Sequence, residues 1–106
     1  MDDVGPIGPK DKVIIQDLLE QEQIGEDGFA KYYNGDASGA QEVKEALSTS
    51  ATNIRSLHNS SLRNQAKGLL DALNKAIAEY MKNPSDDNLG ALKSGVDHYK
   101  DFLSQF

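Results

Sequence analysis

Apolar residues recur along most of this chain at spacings of three and four, the repeat of one face of an α-helix. The cleanest stretch is Leu62, Ala66, Leu69, Leu73, Ala76 and Tyr80, with Leu70, Ile77 and Met81 widening the face. Asn83-Pro84 closes it, because proline disfavours helical geometry at the residue before it. The spacing predicts a helix over about 60–82. Ser85, Asp86 and Asp87 then suit the start of another, as a cap and as acids that complement the helix dipole. Its stripe is Leu89, Leu92, Val96, Tyr99, Leu103 and Phe106, stepping by 3, 4, 3, 4 and 3. That predicts a helix over about 85–105.

Upstream, Val43, Leu47, Ser50, Ile54 and Leu57 step by 4, 3, 4 and 3 and predict a helix over about 38–58. One rung of this seam is a serine. Ser48, Thr49, Thr52 and Asn53 lower its intrinsic propensity, so packing must hold it. Ser38 and Gln41 have the spacing of a capping box at its start. From Leu57 to Leu62 the step is five, which breaks the phase. A turn at 58–61, with Asn59 or Ser60 capping the next helix, is the preferred reading, and one continuous helix from 38 to 82 is the alternative. Asn59-Ser60-Ser61 is also a glycosylation sequon, and the cap is the preferred reading.

The front of the chain is less regular. Ile14, Ile15, Leu18 and Leu19 form one broad apolar face and predict a shorter helix over about 10–23, opened by Pro9 or Asp11 and ended by Gly25. Asp17, Glu20 and Glu22 fall on or beside its opposite face. Residues 1–9, rich in glycine and proline, read as a disordered or extended tail. Residues 25–39 contain four glycines and read as irregular. Phe29, Tyr32 and Tyr33 mark a helical turn or two within it, and Asn34-Gly35 stops that turn. The sum is an all-α chain. Three long helices joined by short turns form an antiparallel helical bundle, and the shorter N-terminal helix covers the remaining groove. Residues 10–106 make a single domain.

Composition narrows the functions open to such a domain. With 106 residues the chain is long enough for one core without staples. It contains no cysteine, which removes disulfides and thiolate metal sites. The net charge of −6 is unevenly spread. Residues 1–53 carry four Lys/Arg against eleven Asp/Glu, and residues 54–106 carry seven against six. An acidic front disfavours nucleic acid and anionic membranes, since phosphate recognition rests on clustered Lys/Arg. It suits a basic protein surface, or simple solubility. The longest run of large aliphatics is residues 13–15, far short of the ~20 residues a membrane span needs. Met1-Asp2-Asp3 is acidic where a secretory leader is basic, so a cytoplasmic protein is expected.

Catalytic signatures are sparse. His58 falls at a helix end, and His98 lies beside Asp97 with Asp101 three residues on, which reads as surface charge. No phosphate-binding loop occurs; Gly90 and Gly95 have suitable spacing, but Val96 stands where the lysine belongs. Residues 34–45 resemble an EF-hand calcium loop in outline. Asn34, Asp36, Ser38, Glu42 and Glu45 take ligand positions, and Gly39 takes the turn position. Asn34 in place of aspartate, Gln41 in place of an aliphatic residue, and the lack of a sister loop depart from the pattern. Phe29, Tyr32 and Tyr33 are either a plug beneath the bundle end or an aromatic docking patch. The reading that follows is a non-enzymatic acidic module without cofactor that binds another protein, a basic surface being the complementary kind. Phe29, Tyr32, Tyr33, Asp17, Glu20 and Glu22 are the candidate contacts. Two alternatives stand beside it: calcium binding at 34–45, and a ligand cavity inside the bundle, for which the Ser50 rung is the hint.

Overall fold

The computed structural model describes residues 4–106. Residues 1–3 lie outside the described part, and with them the front of the expected tail. The described residues form four α-helices: α1 (Pro9–Tyr33), α2 (Ser38–Arg55), α3 (Ser60–Lys82) and α4 (Asp86–Leu103). Successive helices are linked by three or four residues. α1 lies along α2 and α3 along α4, and weaker α2–α3 and α1–α4 contacts close the group.

Local chemistry sets most of the boundaries. Pro9 is the first residue of α1, where its missing N–H is no loss. At the other end Gly35, at φ +99°, takes the left-handed conformation. The N–H of Asp36 then donates to the Lys31 carbonyl (2.9 Å), and that of Gly35 to Tyr32 (3.1 Å). This is a Schellman closure, and it leaves few carbonyls orphaned. Asn59 Oδ1 accepts from Leu62 N (2.9 Å) and opens α3, while Ser85 Oγ accepts from Asn88 N (3.1 Å) and opens α4. The break expected at 58–61 is therefore present. At α2 the expected Ser38/Gln41 capping box does not form. Asp36 Oδ1 instead accepts from Ser38 N (3.0 Å) and Oγ (2.6 Å), and Gln41 donates to Glu45 (3.1 Å). A carboxylate two residues upstream does the capping.

The first helix differs most from expectation. It does not end at Gly25. It continues through Gly25 and Gly28 to Tyr33 and, with 25 residues, is the longest of the four. The physical reason lies in α2. A Cβ on Gly28 would meet Glu42 Cβ at 2.8 Å and the Gly39 carbonyl at 3.1 Å. A Cβ on Gly39 would overlap the Gly28 carbonyl and stand 2.5 Å from Tyr32 N. The two helices touch backbone to backbone at this point, and only glycine permits it. The propensity each glycine forfeits, about 1 kcal/mol, is offset by that contact.

The shared core includes Ile15, Leu18, Ile54, Leu57, Leu62, Leu73, Tyr99 and Leu103, all buried. Ile15 and Leu18 thus find cover within their own domain. On residues 4–8 the described chain is non-helical, and Val4 and Ile7 pack against the core. Asn59 Nδ2 donates to the Val4 carbonyl (2.8 Å), which ties this segment down.

Candidate functional site

Counting along α1 in steps of 4, 3 and 4 from Asp11 gives Ile15, Leu18 and Glu22, and all four are buried. Two carboxylates therefore lie on the helix's inward stripe, one at each side of its apolar centre. Glu22 does not belong with the exposed Asp17 and Glu20, where the sequence reading set it. The same stripe runs on through Gly25 to Phe29.

Asp11 has a structural task. Its Oδ1 accepts from His58 N (2.9 Å) and its Oδ2 from Asn59 N (2.9 Å), with His58 Nδ1 at 3.2 Å. α1 thereby caps the α2–α3 turn. Desolvation acts to raise this carboxyl's pKa, but the two backbone donors and the His58 ring outweigh it and hold it below the usual aspartate value.

Glu22 stands at a partly open cavity of about 380 Å³ lined by all four helices. Its walls are mainly apolar, including Ala46, Leu47, Leu73, Ile77, Leu92 and Val96. The polar lining residues that are buried come from three helices. Glu22 (8 % exposed) belongs to α1, Ser50 (3 %) to α2 and Tyr99 (1 %) to α4. Glu22 Oε1 and Tyr99 Oη are buried without a hydrogen-bond partner. Burial pushes the Glu22 carboxyl up to about 8; the Glu26 carboxylate adds to the rise, and Lys100 opposes it. Lys100 Nζ is 3.0 Å from Glu26 Oε2 and 3.9 Å from Glu22 Oε2. Desolvation also acts on Glu26, but its links to Glu22 and Lys100 prevail and lower it. Lys100 is raised chiefly by the hydrogen bond to Glu26. Burial raises the Tyr99 phenol strongly; the Ser50 hydroxyl works the other way from nearby, although it stands outside hydrogen-bonding geometry with Tyr99 Oη. Of the two carboxyls, Glu22 is therefore the one that favours the proton and Glu26 the one that favours the charge.

No family model, no curated protein and no solved structure matches this chain.

The remaining candidates from sequence are dispersed. Phe29 is half-buried and meets Tyr80 edge-on, ring centroids 5.4 Å apart. Tyr32 also packs against the core, whereas Tyr33 is 58 % exposed. Asp17 and Glu20 are exposed on α1. The six residues do not gather into one patch. At 34–45, α2 begins at Ser38, so Glu42 and Glu45 belong to a helix rather than a loop. Glu42 pairs with Lys31 (2.8 Å) and Gly39 is spent on the α1 contact. Among the described residues no three His, Cys, Asp or Glu side chains cluster as a metal site would need. His58 stands beside Asp11, and His98 is exposed. Among the described residues no helix is long and apolar enough to cross a membrane.

Tyr99 and Ser50 are legible in the sequence as seam positions, but their seams do not join them to Glu22. A signal was present. Glu22 is four residues after Leu18 and seven after Ile15, the position of an inward-facing residue.

Proposed function

We propose that this chain is an antiparallel helical bundle that binds a small, mostly apolar organic molecule in the cavity between its helices. The observation that carries the reading is the pairing of an apolar cavity with two buried, unpartnered polar atoms, Glu22 Oε1 and Tyr99 Oη. Native interiors are close-packed, and buried polar groups nearly always have partners. A cavity of this size holds a molecule of ten or so heavy atoms, and pockets with apolar walls and a few convergent polar groups are the usual form of ligand sites. Binding needs no catalysis, so the reading remains non-enzymatic. A neutral aromatic such as toluene is a suitable probe for the apolar wall. Saturable stabilisation by toluene is expected, and its loss in Val96→Trp, which fills the cavity from α4. No change in melting temperature at saturating toluene would reject the reading, because any ligand of the folded state must raise it.

Protein binding through the outer face of α1 is the second reading. It rests on the exposed Val13 and Ile24, which flank the acidic Asp17 and Glu20. A partner with a basic, partly apolar surface matches that face. Cross-linking that maps to α1 and is lost in Val13→Lys/Ile24→Lys is the outcome expected on this view.

A further inference from the structure

Charge around the cavity is confined to two helices. Among the lining residues, α2 and α3 contribute no ionisable group to it. α1 brings Glu22 and Glu26, with Asp27 adding its field from nearby. α4 brings Lys93, Asp97 and Tyr99, and Lys100 sits beside the two glutamates. Lys100 is committed to Glu26 at 3.0 Å. With Lys93 set against Asp97, and were both glutamates ionised, Lys100 alone would face two carboxylates, and the unpaired charge would be the one on buried Glu22. The site is one positive charge short. Its buried polar atoms are moreover all oxygens, from Glu22, Ser50 and Tyr99. A carboxylate and two hydroxyls from three helices offer up to three acceptors, the number a primary ammonium group can satisfy.

We propose that the cavity binds a primary amine with a compact apolar body, its ammonium group taken by Glu22, Tyr99 and Ser50. This deepens the proposed function and rests on it. On binding, the carboxylic acid of Glu22 loses its proton to solvent, and the resulting carboxylate accepts N–H bonds from the ammonium group. Charge balances: the ligand brings one positive charge in and one proton leaves. An anionic ligand has no place here, since the carboxyl pair repels it. A neutral alcohol fits the space and finds hydrogen bonds, but it leaves the second carboxylate without a counter-charge. Charge-assisted hydrogen bonds are roughly twice as strong as neutral ones, so the amine is the better occupant once the proton is released.

The test compares 2-phenylethylamine, 2-phenylethanol and phenylacetate, three molecules of one shape, by calorimetry on the full chain. Titrations in buffers of different ionisation enthalpy count the protons released. The expected result is an amine preference of at least about tenfold over the alcohol at pH 8, equivalent to about 1.4 kcal/mol, with proton release on binding and no detectable phenylacetate binding. Amine affinity should rise from pH 6 to pH 8, because proton release from Glu22 becomes cheaper, while alcohol affinity should not rise. Glu22→Gln should abolish the amine preference and the proton release, while its helical circular dichroism and its stabilisation by toluene show that the variant folds. Equal binding of amine and alcohol, or an amine preference that survives in Glu22→Gln, overturns the amine assignment and leaves the cavity reading standing. Failure of both the amine and the alcohol, together with failure of toluene, removes both.

Discussion

Removing a carboxylate from water costs several kcal/mol unless partners replace its hydration, and the two buried acids of α1 answer that cost in opposite ways. Asp11 stays ionised because two backbone N–H groups and the His58 ring surround it. Its stabilising effect is present above the unfolded pKa near 3.8 and is lost as the pH falls through the lower folded value. Asp11→Ala leaves those N–H groups without their acceptor, at about 1–3 kcal/mol each if they remain buried. Urea unfolding should therefore show a large deficit at pH 7 that shrinks toward pH 2; a deficit unchanged by pH would show that Asp11 acts through packing alone. Glu22 instead keeps its proton. Its folded pKa is raised from 4.5 to about 8, so below 4.5 both states are protonated and nothing is lost. Between 4.5 and 8 the unfolded chain gives up the proton and the folded chain does not, so stability declines with rising pH and levels off above it. Glu22→Gln should remove that decline. Its melting temperature should exceed the natural chain's by a margin that widens from pH 5 to pH 8, reaching roughly 4–8 °C for each kcal/mol involved. A margin that narrows with pH would contradict the protonated Glu22.

At the scale of the helix, the α1–α2 contact is the part that glycine makes possible. Gly39→Ala forces a methyl group into the Gly28 carbonyl and the Tyr32 N–H, which are backbone and cannot swing aside. A loss of about 1–3 kcal/mol, or more, is expected. Gly25→Ala lies on the same interface but would meet Ala46 Cβ at 3.7 Å, an ordinary contact. It should gain about 0.5–1 kcal/mol from helix propensity. Denaturant midpoints of the two variants check this, and equal effects would mean that the helices do not approach at Gly39. The same contact explains what the sequence could and could not disclose. Caps act over two to four residues, so Gly35, Asn59 and Ser85 were legible as helix ends. The continuity of α1 was not, because Gly25 and Gly28 read locally as breakers, and their compensation comes from Gly39 and Glu42 across a turn. Three of the four helices were placed within about three residues at each end, since their seams carry their own period. Glu22 was misread for a related reason: a search for apolar rungs passes over a carboxyl that completes the stripe.

On the scale of the whole molecule, α1 spans about 37 Å at 1.5 Å per residue, most of the 42 Å length of the domain. It supplies Ile15 and Leu18 to the core and Glu22 to the cavity. A fragment of residues 37–106 should keep helical circular dichroism but lose cooperative melting, because an apolar strip along α2 and α4 is then uncovered. A fragment that melts like the full chain would mean that α1 is not part of the folding unit. The acidic front also has a different meaning in three dimensions. Of its carboxylates, Asp11, Glu26, Asp36 and Glu42 are engaged within the domain, by the α2–α3 turn, by Lys100, by the start of α2 and by Lys31. Composition reports only their sum. A cavity is likewise invisible to periodicity, which records which residues face inward but not whether they fill the space. Ser50, a small polar rung between Val43 and Ile54, was the trace it left in the sequence. The most direct measurement is an intermolecular NOE experiment on the methyl-labelled full chain with toluene present. Cross-peaks from the ring protons to the methyls of Leu73, Leu92 and Val96, with none to the exposed Val13 and Ile24, are expected. Cross-peaks confined to Val13 and Ile24, or none at all at saturating toluene, would contradict the cavity as a binding site.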